Sequence, residues 1–328
     1  MLEHGGRLRQ AAKRWSIPLE AWLDLSTGIA PWSYPVSIAD SAWQRLPEDD
    51  DELAAIAAAY YGHPAPLPLP GSQAAIQWLP RLIAPGRVLL PRPTYGEYAP
   101  AWRAAGHMVV EVEADAIASA GEADILMLGN PNNPTAAALS RDELLALAGR
   151  QAARGGWLVV DEAFADGDPG VSVAALAGGR FPQLVVLRSL GKFFGLAGAR
   201  VGFLCAAEAL SRQMTEALGP WALAHPSRVA AIQALGDNAW QAVQRQRLSQ
   251  ANTRLGELLA AHGLAARSGG LLFHYVATPQ AAEIAEACAQ RGILLRVFSQ
   301  PPALRFGLPG SDADFKRLDA ALGTWSRS

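Results

Sequence analysis

At 328 residues the chain is too long for one small core and short for three domains, which favours one large domain and one smaller one. Half of it is hydrophobic, 18% is charged and the formal net charge is −2. No broad basic field draws in nucleic acid, so any anion it binds must be held by local groups.

The first forty residues are rich in Pro, Gly and Trp and read as an arm or loop with one helix. Their opening, "MLEHGGRLRQ", lacks the apolar core of a signal peptide, and no run in the chain approaches the roughly 18 apolar residues of a membrane span. After about residue 50, short apolar runs alternate with longer amphipathic stretches, as a parallel sheet covered by helices requires. The predicted strands are "RVLLP" (Arg87 to Pro91), "MVVEVE" (Met108 to Glu113), "DILMLGN" (Asp124 to Asn130), "WLVVDEA" (Trp157 to Ala163), "LVVLRS" (Leu184 to Ser189) and "RVGFLCA" (Arg200 to Ala206). "SRDELLALAGRQAARGG" reads as a helix with Ser140 as N-cap and Glu143 completing a capping box. From Ala207 to His262 the pattern is mostly helical, and the stretch that starts "SRVAAIQALGDNAWQ" reads as a bridge between domains. A second, smaller α/β unit follows, with strands "LLFHYVA", "GILLRVF" and "ALRFGL" and a helix "PQAAEIAEACAQR". Cys205 and Cys288 lie far apart with no metal-ligand spacing, so reduced thiols, a cytoplasmic location and no metal are expected.

One lysine stands out in "RSLGKFFGLAGARVG" (Arg188 to Gly202), because lysine is rarely buried without a reason. Four other stretches, "PGSQAAI", "PRPTYGEY", "GNPNNPTA" and "VVDEAFAD", each end or follow a predicted strand, where chemistry gathers in such sheets. Together, and in this order, the five resemble the fold-type I enzymes of pyridoxal 5′-phosphate (PLP), the aspartate aminotransferase superfamily. The resemblance spans nearly the whole chain. It implies an α/β fold with an N-terminal arm (1–45) joining the small domain, a large PLP-binding domain (46–220) with a mostly parallel sheet, and a small α/β C-terminal domain (221–328).

On that resemblance Lys192 is the amine that forms a Schiff base with the aldehyde cofactor. Asp161, at a strand end where an isolated carboxylate is costly to desolvate, pairs with the pyridine nitrogen. Asn133 donates to the phenolic oxygen. Ser189 and Arg200 take the phosphate, joined by Ser72 and Gln73 after Gly71 at a helix N-terminus. Tyr95 stacks on the ring, and Tyr60 or Tyr61 reaches the cofactor of a homodimer partner. Phe164 stands where many aminotransferases have a tyrosine.

Arg305 interrupts an apolar strand, and alternation puts Arg296 on one face with Leu294 and Phe298; arginines in such settings ask for an anion. The resemblance assigns the substrate α-carboxylate to Arg305 and a substrate phosphate to Arg296, with His4 capping that phosphate. The branch so matched includes histidinol-phosphate aminotransferase and L-threonine-O-3-phosphate decarboxylase. "HGG", "LDLSTGIAPW", "GILLRVF" and "LRFGLPG" resemble the decarboxylase-related proteins of cobalamin biosynthesis. That implies decarboxylation of L-threonine O-3-phosphate to (R)-1-amino-2-propanol O-2-phosphate, with aminotransfer of the histidinol-phosphate type as the alternative. A PLP-fold regulatory module without turnover is a third reading. Lys192, Asp161, Asn133 and Arg200 argue against it, since a module needing only the fold has no use for all four.

Overall fold

A computed structural model of the chain describes residues 4–114, 117 and 123–325. Its centre is a seven-stranded sheet ordered Leu67–Leu69, Gly202–Cys205, Leu184–Ser189, Trp157–Asp161, Ile125–Gly129, Arg87–Arg92 and Met108–Glu113. The last five strands of that order pair in parallel, and Gly202–Cys205 is antiparallel to both its neighbours. Alternate residues of the inner strands feed two cores, Val160 and Val186 into one, Val159 and Val185 into the other. A strand buried on both faces must be apolar throughout, which is why these runs were legible. Helices Ser72–Leu82, Tyr98–Ala104, Arg141–Ala153 and Glu208–Leu218 belong to this part of the chain. The third carries the expected capping box, with Ser140 accepting from the Glu143 N–H and Glu143 accepting from that of Ser140. The fold is therefore α/β, with a mostly parallel sheet and helices, as expected.

A separate four-stranded antiparallel sheet runs in the order Arg296–Ser299, Pro302–Gly307, Phe273–Ala277 and Arg267–Gly269, with the helix Ala281–Ala289 beside it. The arm begins with the helix Leu8–Trp15, and its strand Leu23–Asp24 then pairs in parallel with Ile293–Leu294. Beyond it the chain runs along the lysine loop, the Ala30 N–H bonding the Lys192 carbonyl and the Tyr34 N–H that of Phe194.

One expectation needs correction, and two features went unread in the sequence. "GILLRVF" is not one strand: Ile293–Leu294 and Arg296–Ser299 belong to different sheets, so Leu294 does not share a strand face with Arg296 and Phe298. The long helical stretch is two helices, His225–Gly236 and Asn238–Ala261, because Asp237 leaves the helical conformation and its side chain accepts the Trp240 N–H of the second. The strands Leu67–Leu69 and Arg267–Gly269 went unexpected. Each is three residues long, too short for alternation to register, and the first contains Pro68.

Candidate active site

The carboxyl ends of the parallel strands bring Gly129, Asp161 and Ser189 to one side of the sheet, around a cavity of about 380 Å³. Lys192 enters it from the loop after Ser189. Asn133 comes from the loop after Gly129, and Ser72, Gln73, Tyr95 and Arg200 close the other walls.

Lys192 is half-buried. Among the described residues its amine has no hydrogen-bond or ion-pair partner, only the Phe164 ring 5.5 Å away. Burial first, and then the charge of Arg305, depress its pKa to about 8, against the pull of Asp161. Asp161 is almost fully buried and is fixed by two donors, the Tyr98 hydroxyl at 2.8 Å and the Ala163 N–H at 3.0 Å. Desolvation raises its carboxyl above the usual range while those donors and Lys192 pull it down, so a cation placed beside it would be taken up readily.

The opposite end of the cavity is built for an anion. Gly71, the N-cap of Ser72–Leu82, has φ +80°, and a Cβ there would lie 2.6 Å from Arg200 Nη2. A Cβ on Gly202 would lie 2.3 Å from the Ser72 nitrogen. Only glycine at both positions lets the guanidinium and the helix N-terminus share one wall. Ser189 Oγ caps the Gly191 N–H at 3.2 Å. Tyr95 donates to Gln73 Oε1 at 3.2 Å and meets Tyr98 edge-on; burial and then Glu97 push its hydroxyl up to about 12.

Arg305 is buried and donates to two neutral oxygens, the Asn133 side chain and the Ser26 carbonyl, while its Nε lies buried without a partner. Burial and the charge of Arg296 lower its pKa to about 10. Arg296 is its cross-strand neighbour. Arg296 faces a second hollow of about 230 Å³, lined also by Arg7, Arg14 and Ser26, and His4 lines both this hollow and the main cavity.

The residues singled out for the cofactor and substrate thus lie on one of two adjoining hollows, except Arg305, which reaches the first through Asn133; Tyr60 and Tyr61 lie on neither. Tyr61 packs in the core against Phe203 with Arg188 over its ring, so it does not reach out of this chain, and the Tyr60 hydroxyl bonds Asp166 at 3.1 Å. Sequence reading missed Tyr98 and Glu97, both inside the quoted "PTYGEY", whose three-residue spacing from Tyr95 to Tyr98 was the available signal. It also missed Arg188, fully buried between Glu162 and Asp166 at 2.5 Å each and adjacent in chain to Ser189.

Comparison with known proteins shows what the chain is similar to. A threonine-phosphate decarboxylase of Pseudomonas aeruginosa is 52% identical over 324 residues, covering 98% of this chain and 97% of that protein. One of a Sinorhizobium species is 43% identical over 326 residues, with 97% of each covered. Among solved structures, a histidinol-phosphate aminotransferase from Sinorhizobium meliloti in complex with pyridoxal-5′-phosphate superposes with a TM-score of 0.82 at 20% identity, over 100% of this chain and 98% of that one. Residues 42–322 match the family described as aminotransferase class I and II, and the chain belongs to it.

Proposed function

We propose that the protein is a PLP-dependent lyase that decarboxylates L-threonine O-3-phosphate to (R)-1-amino-2-propanol O-2-phosphate and CO₂. The observation that carries this reading is the pairing of Arg305 and Arg296 across two adjacent strands, beside a lysine amine that lacks an acceptor. A phosphorylated amino acid has two anions, and two arginines meet them. The 52% and 43% identical relatives support the substrate.

The residues fit PLP. The glycine-walled anion corner beside Arg200 suits a phosphate, and Asp161, fixed by Tyr98 but without a cation within ion-pair distance among the described residues, suits a protonated pyridine nitrogen. Asn133 would hold the phenolic oxygen and Tyr95 the ring face. Bound PLP supplies an electron sink for the pair left at Cα when CO₂ departs.

The chain's own groups do the rest. Arg305 takes the α-carboxylate, and Arg296 with His4 takes the phosphate. Together they fix which Cα bond is presented for cleavage. With a pKa near 8, Lys192 divides between amine and ammonium around neutral pH. As amine it would hold the cofactor, and as ammonium, freed once the substrate's own amine takes that place, it would return a proton to Cα in place of the lost carboxylate. The arm 1–45, large domain 46–220 and small domain 221–328 serve this chemistry by carrying the phosphate side, the lysine side and the arginines.

Exposed Trp43, Leu46 and Trp221 support a homodimer; in this chain the Tyr60 hydroxyl is engaged by Asp166, so it would have to leave that bond to reach a partner's site. Two buried free cysteines suit a reducing cytoplasm, and the amino-alcohol phosphate product suits cobalamin synthesis. Among the described residues no helix is long and apolar enough to cross a membrane.

The test is CO₂ release from L-threonine O-3-phosphate by PLP-loaded protein, with borohydride fixing the cofactor on Lys192. Glutamate formed from 2-oxoglutarate without CO₂ would instead make the protein an aminotransferase.

A further inference from the structure

The described N-terminal residues are built into the site. A Cβ on Gly5 would lie 2.3 Å from the Ser26 carbonyl oxygen, so only glycine lets the strand of chain lie this close. Gly6 has φ +79°, and its N–H donates to Ser26 Oγ at 2.7 Å, while that hydroxyl donates to Asp24 at 2.6 Å. Ser26 is the residue whose carbonyl accepts from Arg305. Gly5 and Gly6 therefore clamp His4 to the same short segment that holds the carboxylate-binding arginine.

From that clamp the His4 ring extends between the two hollows. Its Nε2 meets Glu97 Oε1 at 2.7 Å on the side of the main cavity, and its ring lies 6.0 Å from that of Tyr95. The same residue lines the hollow of Arg296. An imidazole has two nitrogens on opposite edges, so a carboxylate that engages one fixes where the other points. Glu97 is held in turn by the start of the helix Tyr98–Ala104, where its carbonyl accepts the Ala101 N–H.

We propose that Glu97 is a positioning residue for phosphate recognition: by holding His4 Nε2 it aims the other ring nitrogen at the phosphate that Arg296 binds, and so helps select a phosphorylated amino acid over its unphosphorylated form. This rests on the reading of Arg296 as a phosphate site. Glu97 itself does not touch the phosphate, since two anions in contact repel; the imidazole stands between them.

The experiment uses inorganic phosphate titrated into PLP-loaded protein by calorimetry, which needs no turnover, followed by KM and kcat for L-threonine O-3-phosphate. Glu97→Ala should weaken phosphate about five- to tenfold, the scale of one ordinary hydrogen bond lost indirectly. It should raise KM by a similar factor with kcat little changed. Glu97→Gln keeps an acceptor for Nε2 and should restore binding to within about twofold of the parent. In a His4→Ala background, Glu97→Ala should have no further effect. Unchanged or tighter phosphate binding in Glu97→Ala, failure of Glu97→Gln to restore it, or an equal loss in the His4→Ala background overturns the proposal. The Arg296→Ala arm separates the two readings. If phosphate binding is indifferent to Arg296, the phosphate site itself is wrong and the role of Glu97 falls with it. If Arg296→Ala abolishes binding and Glu97→Ala does not weaken it, only the role of Glu97 is wrong.

Discussion

Arg305 donates through Nη1 to the side-chain oxygen of Asn133, tying the last strand of the small sheet to the loop that follows Ile125–Gly129. On the function proposed above, the pair joins a substrate-side residue to a cofactor-side one. Asn133→Ala should leave a buried guanidinium with the Ser26 carbonyl as its remaining partner and cost about 1–3 kcal/mol in the cofactor-free protein. A urea-denaturation cycle with Arg305→Ala should show the two losses to be non-additive; strict additivity would mean that the bond contributes nothing.

Lys192 should make the cofactor-free protein more stable as pH rises. The unfolded chain keeps the lysine proton up to about pH 10.5 and the folded one only to about 8, so between these values the unfolded state binds more protons and stability climbs with pH. Lys192→Met removes the cost of burying the charge and should be more stable than the parent at pH 7 by on the order of 2–3 kcal/mol. The two should converge above pH 10.5. Parallel stability curves across this range would contradict the depressed pKa.

Arg296 and Arg305 should separate by substrate. Arg296→Ala should lose roughly 2–4 kcal/mol of transition-state binding for threonine phosphate, and little for threonine, in kcat/KM for CO₂ release. Arg305→Ala should harm both, because both carry the α-carboxylate. Equal losses on the two substrates in Arg296→Ala would refute its phosphate role.

Phe164 is buried edge-on against Phe273 and lines the cavity, with its ring against Gly28. Phe164→Tyr adds a donor where many relatives of this fold carry one, and should lower the pKa of the absorbance change that PLP-loaded protein shows on titration. An unchanged titration would mean that another donor already serves.

Arg188 should be the costliest charged residue to remove. Arg188→Met leaves Glu162 and Asp166 buried without their cation, a loss of about 3–5 kcal/mol in urea denaturation. A loss under about 1 kcal/mol would show that the carboxylates find other partners.

The parallel strands and the residues at their ends were legible because a strand buried on both faces is apolar throughout, and a polar residue at its end stands out. Asp161 was singled out partly that way, at the end of "WLVVD", while Ser189 and Lys192 were singled out by the resemblance of "RSLGKFFGLAGARVG" to a family motif. Glu97 and Tyr98 were not, because a glutamate and a tyrosine at a helix start look like any solvated turn until His4 and Asp161 arrive from 93 and 63 residues away. Arg188 reads as an ordinary strand end, since its carboxylate partners lie on the neighbouring strand's exit. The split of "GILLRVF" was equally hidden. Its first half pairs with Leu23–Asp24, and nothing in the run itself records that partner.

The stretch from Ser26 to Ala30 touches Arg305 at one end, through the Ser26 carbonyl, and the Lys192 carbonyl at the other, through the Ala30 N–H. It is a covalent strut between Arg305 and Lys192, the residues we propose to grip the substrate and to act on it, and peptide bonds do not stretch. The separation of the two functions is therefore gauged by chain length in this segment. One inserted residue would add up to about 3.3 Å, longer than a hydrogen bond, and would put the two ends out of register with each other while leaving both sheets intact.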